Sequence, residues 1–186
     1  MSTSVNAPYH HGNLRQALLE AALIILAREG EAGLGLRDLA RAVGVSPAAP
    51  YRHFDSRAAL LEALAVTGFQ RFTAAMDAVA ESAPADPLAA MGKTYVFFAL
   101  ENASLFRLMF SPRLKKDARP GLRMAADAAF DTLRRVVGGE TRADRVKALA
   151  AWAKVHGLAV LLLDGQIAVR AGEDTEELIA EVIGSL

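Results

Sequence analysis

Apolar residues recur along most of the chain at intervals of three and four rather than two, which is the spacing of one face of an α-helix. Prolines and glycines gather at a few places and mark the breaks between these segments. The pattern predicts an all-α fold of about nine helices. They are expected at 14–28, 36–43, 46–53, 57–81, 87–101, 105–110, 122–137, 144–163 and 175–183.

Several of these segments follow a residue whose side-chain oxygen can accept a hydrogen bond from a free N–H of the first helical turn. Asn13, Ser46 and Asp86 hold such positions. Proline follows both Ser46 and Asp86, at a helical position where a missing N–H is tolerated. Thr141 and Asp144 frame the start of the helix that reaches about residue 163. These residues predict where the helices begin.

Two short predicted helices, 36–43 and 46–53, are separated only by Gly44 and Val45. A glycine-bearing turn this tight between two helices predicts a helix-turn-helix. The next predicted helix, 57–81, would be about 40 Å long at ~1.5 Å per residue. We therefore expect a helix-turn-helix domain at 1–55 and a second helical domain at 56–186.

The second helix of this pair carries groups that suit a nucleic acid. Its exposed face is expected to bear one cation, one phenol and one imidazole, which suit contacts with DNA phosphates and one base edge. The candidate DNA-binding residues on this segment are Ser46, Pro47, Ala48, Ala49, Tyr51, Arg52 and His53. Arg37 on the preceding helix is a further candidate, and a merely solvated position on the surface is the alternative for both Arg37 and Arg52.

Composition restricts the class of protein. The 186 residues are 53% hydrophobic and 23% charged, which excludes a disordered chain. Cysteine is absent, which excludes disulfides, thiolate metal sites and a cysteine nucleophile. The 21 basic and 21 acidic residues balance, so bulk charge favours neither nucleic acid nor a membrane surface.

The sequence predicts a cytoplasmic location. The unbroken apolar runs, such as 21–27 and 158–163, are far shorter than the ~20 residues of a membrane span. The first twelve residues are polar, so no signal peptide is predicted. We expect no contact with a membrane.

Motifs for catalysis are missing from the sequence, including H-E-x-x-H, G-x-S-x-G and a glycine-rich phosphate loop. His10 and His11 precede the first helix without an evident third ligand. They are interpreted as part of a flexible arm or helix cap, or of an arm that contacts the DNA backbone. We predict no enzymatic activity, no cofactor and no metal site.

Over residues 13–62 the sequence resembles the TetR/AcrR family of bacterial transcription regulators. The family's tyrosine-x-histidine-phenylalanine signature reads Tyr51-Arg52-His53-Phe54 here, and its basic residue three positions later is Arg57. Two positions depart from the family pattern. Gly35 stands where a capping hydroxyl is usual, and Pro50 stands where leucine is common. We expect Pro50 to be tolerated in the first turn of its helix.

The resemblance implies a homodimer that places the second short helix of each subunit in a major groove of a palindromic double-stranded operator. Tyr51 and His53 would contact phosphates, and Arg52 would contact a base edge. Arg57 would contact a phosphate, or instead pair on the surface with Asp55 or Glu31.

The resemblance also implies a function. The chain would be a repressor that a small-molecule effector of unknown identity releases from its operator. The alternative from another class is a helical ligand-binding or scaffold protein without a DNA role.

The second domain is expected to hold the effector site. Its candidate pocket residues are large side chains expected to face inward, a set that is also typical of a plain core. They are Met91, Tyr95, Phe98, Phe106, Met109, Met124, Trp152 and His156.

The pattern W-x-x-x-H-G, formed by Trp152, His156 and Gly157, resembles the C-terminal WHG domain of one branch of the family. His156 is interpreted as a satisfied core histidine or as a ligand contact. Gly157 in mid-helix suggests close approach of another helix. The last two long helices are expected to form the homodimer interface.

Overall fold

The computed structural model describes residues 14–114, 119–170 and 172–184, and within them it contains helices and turns but no strand. The predicted all-α fold is confirmed. The helices are α1 (Leu14–Glu29), α2 (Leu36–Val43), α3 (Arg57–Glu81), α4 (Pro87–Glu101), α5 (Ala103–Met109), α6 (Pro120–Val137), α7 (Arg142–Leu163) and α8 (Thr175–Gly184). The predicted Asn13 cap and the histidines at 10 and 11 lie outside the described residues.

Backbone contacts divide the chain into two units, Met1–Leu64 and Ala65–Leu186. The first unit therefore extends beyond the predicted boundary at residue 55 and includes the first two turns of α3. Leu60 and Leu64 in these turns are fully buried.

In the first unit, α1 packs against α2. Leu18 and Leu26 of α1 and Leu39 of α2 are almost completely buried. Helix α2 ends at Gly44, whose φ of 74° lies in the left-handed region that favours glycine. The next N–H, that of Val45, donates back to the Ala40 carbonyl at 2.9 Å, which closes the helix and turns the chain.

The predicted helix over 46–53 is wrong. This segment forms a turn followed by a 3₁₀ helix, Pro50–Arg52. An α-helix capped by Ser46 would need the N–H of residue 50 to bond the Ser46 carbonyl, but proline has no N–H and its ring crowds that carbonyl. The Ser46 carbonyl instead accepts from the Ala49 N–H at 2.9 Å, and the Pro50 carbonyl accepts from the His53 N–H at 3.0 Å.

In the second unit, α4 packs against α5, α6, α7 and α8. Val96 and Ala99 of α4 are fully buried, as is Ile179 of α8. The predicted helix starts at Asp86 and Thr141 are confirmed, whereas Ser46 caps no α-helix. The Asp86 carboxylate accepts from the Ala89 N–H at 2.9 Å, and α7 begins with a capping box formed by Thr141 and Asp144.

Helix α7 is apolar but largely uncovered. Among the described helices it alone is long and apolar enough to cross a membrane by length and composition, and only a small share of its residues is buried. Its Val146 is 55% exposed and its Leu161 is 44% exposed. A single helix of this kind is weak evidence for a membrane span, and it leaves an apolar face to be explained.

Candidate functional site

The segment from Ser46 to His53 presents most of its side chains outward. Ser46, Pro47, Ala48, Arg52 and His53 are exposed, and Ala49 is half-buried. Tyr51 is 47% exposed. One cation, one phenol and one imidazole therefore share a short exposed segment.

Buried residues on either side hold this segment in place. Pro50 is buried within the 3₁₀ helix, and Phe54, just after it, is 2% exposed. The Arg15 guanidinium lies over the Phe54 ring, 5.5 Å from its centroid, and adds a cation–π contact. Because Pro50 and Phe54 point into the core, the residues between and before them are directed outward.

The arginines near this segment differ in their partners. Arg37 is exposed. Arg41 is exposed too, and it forms an ion pair with Asp38 at 3.2 Å. Such a pair on the surface of a helix is worth ~0.3–0.5 kcal/mol.

Arg57 forms contacts that neither sequence hypothesis named. Its Nε donates to the Leu34 carbonyl at 2.8 Å, and its Nη2 donates to the Glu31 carbonyl. The partners are backbone oxygens rather than the carboxylates of Glu31 or Asp55. Arg57 therefore connects the first turn of α3 to the 3₁₀ helix Glu31–Gly33 and its C-cap Leu34, which precede α2.

The second unit contains a cavity of about 690 Å³, within the ~300–1,000 Å³ range of ligand pockets. Side chains from α3, α4, α6, α7 and α8 form its walls. Most of the lining residues are apolar. The aromatic ones are Phe69, Phe72, Tyr95, Phe110, Phe130 and Trp152.

A chain of hydrogen bonds crosses the wall of this cavity. The indole N–H of Trp152 donates to the Tyr95 hydroxyl oxygen at 3.2 Å, and that oxygen lies 2.8 Å from His156 Nδ1. An indole N–H can only donate, so the hydroxyl proton of Tyr95 remains available for His156. Burial raises the pKa of the Tyr95 hydroxyl well above its ordinary value, and the bond from Trp152 lowers it by less. Tyr95 is therefore a neutral donor.

Three of the predicted pocket residues, Met91, Tyr95 and Trp152, line the cavity. His156 does not line it, but it bonds Tyr95 and lies 4.6 Å from Phe110, measured between ring centroids. Its aromatic and hydrogen-bonded surroundings favour the interpretation of a satisfied core histidine.

The other predicted pocket residues lie outside the lining. Phe106 and Met109 are almost fully buried, and Phe98 is half-buried, stacked edge-on against Phe72. The prediction that Met124 faces inward is wrong, because its side chain is 72% exposed. Met124 lies early in α6, on the side of that helix opposite the buried Leu122 and Ala129.

Several cavity residues were not predicted from the sequence. Phe69, Phe72 and Met76 come from α3, which the sequence indicates only as a connecting helix. Their spacing of three and four residues is the available signal, since it places them on one face of α3. The charged lining residues Asp127, Lys147 and Lys154 were also missed.

Among the described residues, no group of three or more His, Asp or Glu side chains could hold a metal ion. The chemistry that the described groups support is binding: hydrogen bonding and ionic contact at the exposed segment, and enclosure of an apolar molecule in the cavity.

Two family models match the chain. Residues 18–64 match bacterial regulatory proteins of the tetR family, and residues 88–186 match a Tetracyclin repressor-like C-terminal domain. Among curated proteins, none matches the chain.

Solved structures are similar over almost the whole chain. A protein with unknown function from Rhodococcus sp. RHA1 is 38% identical over 97% of this chain and 96% of that chain, with a TM-score of 0.82. The TetR family transcriptional regulator PfmR from Thermus thermophilus is 22% identical, covering 89% and 94%, with a TM-score of 0.62. AibR, solved with isovaleryl coenzyme A and operator DNA, is 19% identical, covering 92% and 97%, with a TM-score of 0.64.

Proposed function

The chain belongs to the tetR family of bacterial regulatory proteins, and from this premise we propose that it is a homodimeric repressor that a small molecule releases from a palindromic operator. The observation that carries the proposal is the outward position of Tyr51, Arg52 and His53, fixed by the buried Pro50 and Phe54. We further propose that it acts in the cytoplasm, because regulation requires access to DNA. We also propose that it has no enzymatic activity, because this form of regulation requires no chemical reaction.

In the proposed complex, Arg52 contacts a base edge in the major groove, while Tyr51 and His53 contact phosphates. A bidentate arginine–guanine contact discriminates between bases by ~1–3 kcal/mol. Ala48 and Ala49 offer only apolar contacts, so part of the specificity would come from DNA shape. The guanidinium of Arg57 already donates to two carbonyls, so we assign it a positioning role and a phosphate contact only through its remaining N–H groups.

Dimerisation through α7 would explain its exposed apolar face. Val146, Ala150, Ala153, Gly157 and Leu161 recur at intervals of three and four and lie on the side of α7 opposite its buried residues. A Cβ built on Gly157 meets no atom within 4 Å. This glycine therefore gives no packing advantage within its own subunit, but it would let a second α7 approach closely.

The contribution of α8 to the proposed dimer is smaller than its apolar residues suggest. Ile179 is fully buried within its own subunit, and the exposed residues Glu176, Glu177 and Glu181 are acidic. We propose that α7 forms the centre of the interface and α8 its edge. The combination of Trp152, His156 and Gly157 on α7 also supports assignment to the WHG branch of the family.

Release would follow from the position of α3. Phe69, Phe72 and Met76 of this helix line the cavity, and Arg57 in its first turn holds the carbonyls of Leu34 and Glu31. A ligand that displaces α3 would thereby shift the helix-turn-helix, and the two copies in a dimer could no longer occupy both half-sites together.

Selection of bound duplexes from a random pool, followed by titration of the selected DNA, tests the proposal. We expect Arg52→Ala to weaken binding by roughly 5- to 150-fold, since it removes a base contact worth ~1–3 kcal/mol. Tyr51→Phe should weaken it by a smaller factor. Arg41→Ala is the matched control, because Arg41 is exposed but paired with Asp38. Unchanged DNA binding by both Arg52→Ala and Tyr51→Phe would refute the proposed DNA contacts and favour the alternative of a helical ligand-binding protein.

Light scattering at micromolar concentration tests the dimer. We expect Ala153→Glu to give a monomer, because it places a charge at the centre of the apolar face of α7. Ala128→Glu on α6 is the control, since Ala128 is also an exposed helical alanine. A monomeric wild-type protein would refute the proposed assembly.

A further inference from the structure

The charged residues of the cavity wall distinguish between kinds of ligand. They are Asp127, Lys147 and Lys154, set among walls that are otherwise mostly apolar. Asp127 is paired with Arg123 at 3.6 Å. Within the described parts of the chain, no carboxylate lies within ion-pair distance of the Lys147 or Lys154 ammonium. The charge that remains available to a ligand is therefore positive.

The two lysines differ in exposure. They lie two helical turns apart on one side of α7, and Lys147 is exposed whereas Lys154 is half-buried. The Lys154 ammonium donates to the Ile183 carbonyl at 2.7 Å, near the end of α8. An ammonium carries three donors, so this bond leaves others for a ligand. A half-buried cation also interacts more strongly with an anion than an exposed one does.

We propose that the cavity binds an amphipathic organic anion, with its apolar body between the aromatic walls and its carboxylate, or a similar acid group, on Lys154. Calling this molecule the effector rests on the proposed function above. The aromatic walls alone would also attract an organic cation through cation–π contacts, but the half-buried ammonium of Lys154 opposes a second positive charge. A neutral polar head group has fewer hydrogen-bonding partners in the cavity, because the Tyr95 hydroxyl already accepts from Trp152 and its proton is available to His156.

The chain carries its own probe for this test. Trp152 is its single tryptophan, and it lines the cavity. Titration of its fluorescence with octanoate, octan-1-ol and octylammonium at neutral pH compares three head groups on one apolar chain. We expect octanoate to bind at least about tenfold more tightly than octan-1-ol, as one charge-assisted hydrogen bond provides, and octylammonium to bind most weakly.

Substitution of the two lysines identifies the cation responsible. Lys154→Met should reduce the preference for octanoate over octan-1-ol to about twofold or less, while the octan-1-ol affinity stays unchanged. Lys154→Arg should retain the preference. Lys147→Met is the matched control on the same helix, and we expect it to keep most of the preference, because Lys147 is exposed.

Three results would each overturn this proposal: no saturable response to octanoate, binding of octylammonium as tight as that of octanoate, or an undiminished preference in Lys154→Met with an intact thermal transition. The assay contains no DNA, so it can fail while operator binding and its dependence on Arg52 remain. Conversely, a preference for octanoate in a protein that binds no duplex would preserve the ligand class and refute the regulator.

Discussion

Removal of the Tyr95 hydroxyl is the sharpest test of the packing around the cavity. Tyr95→Phe deletes one oxygen and leaves the ring, which packs edge-on against Phe72 and Phe106 with centroid distances of 5.1 and 5.7 Å. The substitution removes the acceptor for the Trp152 N–H and the partner of His156 Nδ1.

The expected loss can be estimated from these two bonds. Each contributes ~1 kcal/mol net, and an indole N–H left without a partner costs ~1–3 kcal/mol where water is excluded. Trp152 borders the cavity, so water can satisfy part of that need. We expect Tyr95→Phe to lower the free energy of unfolding by about 2–3 kcal/mol, a large part of the ~5–15 kcal/mol typical of a domain.

The effect should depend on pH in a defined direction. Because burial raises the pKa of Tyr95 above its ordinary value of 10.0, the hydroxyl ionises more readily in the unfolded chain than in the folded one. Its contribution to stability is therefore complete below pH 10.0 and declines as the pH rises further. The difference between wild type and Tyr95→Phe should shrink above that pH.

Urea unfolding, followed by Trp152 fluorescence at one fixed protein concentration, measures the loss. Tyr51→Phe is the matched control: it deletes the same oxygen from an exposed side chain, and we expect a change within about 0.5 kcal/mol. If Tyr95→Phe and Tyr51→Phe had the same stability, the Trp152–Tyr95–His156 chain would not exist in solution.

Three further substitutions test local structure by thermal unfolding. Gly68→Ala should destabilise the protein by up to ~2 kcal/mol, because the new Cβ would lie 2.7 Å from Sδ of the fully buried Met109. The cost of overpacking, ~1–3 kcal/mol, exceeds the ~1 kcal/mol gain in helix propensity. A higher melting temperature would contradict this. Asp86→Ala should cost ~1 kcal/mol, or roughly 2–4 °C, by removing the cap on the Ala89 N–H, whereas Asp86→Ser should lose much less. Gly44→Ala should cost ~1–2 kcal/mol, because φ at this position is 74°; Gly44→Asn should be milder, and equal losses would argue against the left-handed turn.

The sequence predicts the helices well where periodicity and capping residues agree. Asp86 marks the start of α4 at the predicted residue, and the Thr141–Asp144 pair marks the start of α7 two residues before the predicted 144, because each satisfies free N–H groups locally. The α-helix predicted over 46–53 does not form, and the reason is again local. Ser46 and Pro47 indicate a helix start, but Pro50 stands where the first intrahelical N–H is needed. The missing N–H prevents the second short α-helix that the family resemblance implies.

The cavity could be predicted only in part. Tyr95 and Trp152 attract attention because each combines an aromatic ring with a polar group, and both line the cavity. Phe69 and Phe72 have the same spacing as ordinary core residues, and only the packing of α3 against its neighbours decides which wall they form. The prediction for Met124 fails in the opposite way. This residue was expected to face inward, but its position in α6 places its large apolar side chain in solvent.

In the proposed complex with DNA, the two prolines between Ser46 and His53 have a consequence for affinity. Their rings hold φ near −65° at Pro47 and Pro50, and Pro50 is buried as well. Ordering a free backbone residue costs ~1–2 kcal/mol, so a segment that is already rigid sacrifices little entropy when it docks. The same stiffness restricts adaptation: a half-site with a different groove width would have to deform the duplex, because this backbone has little freedom to follow it.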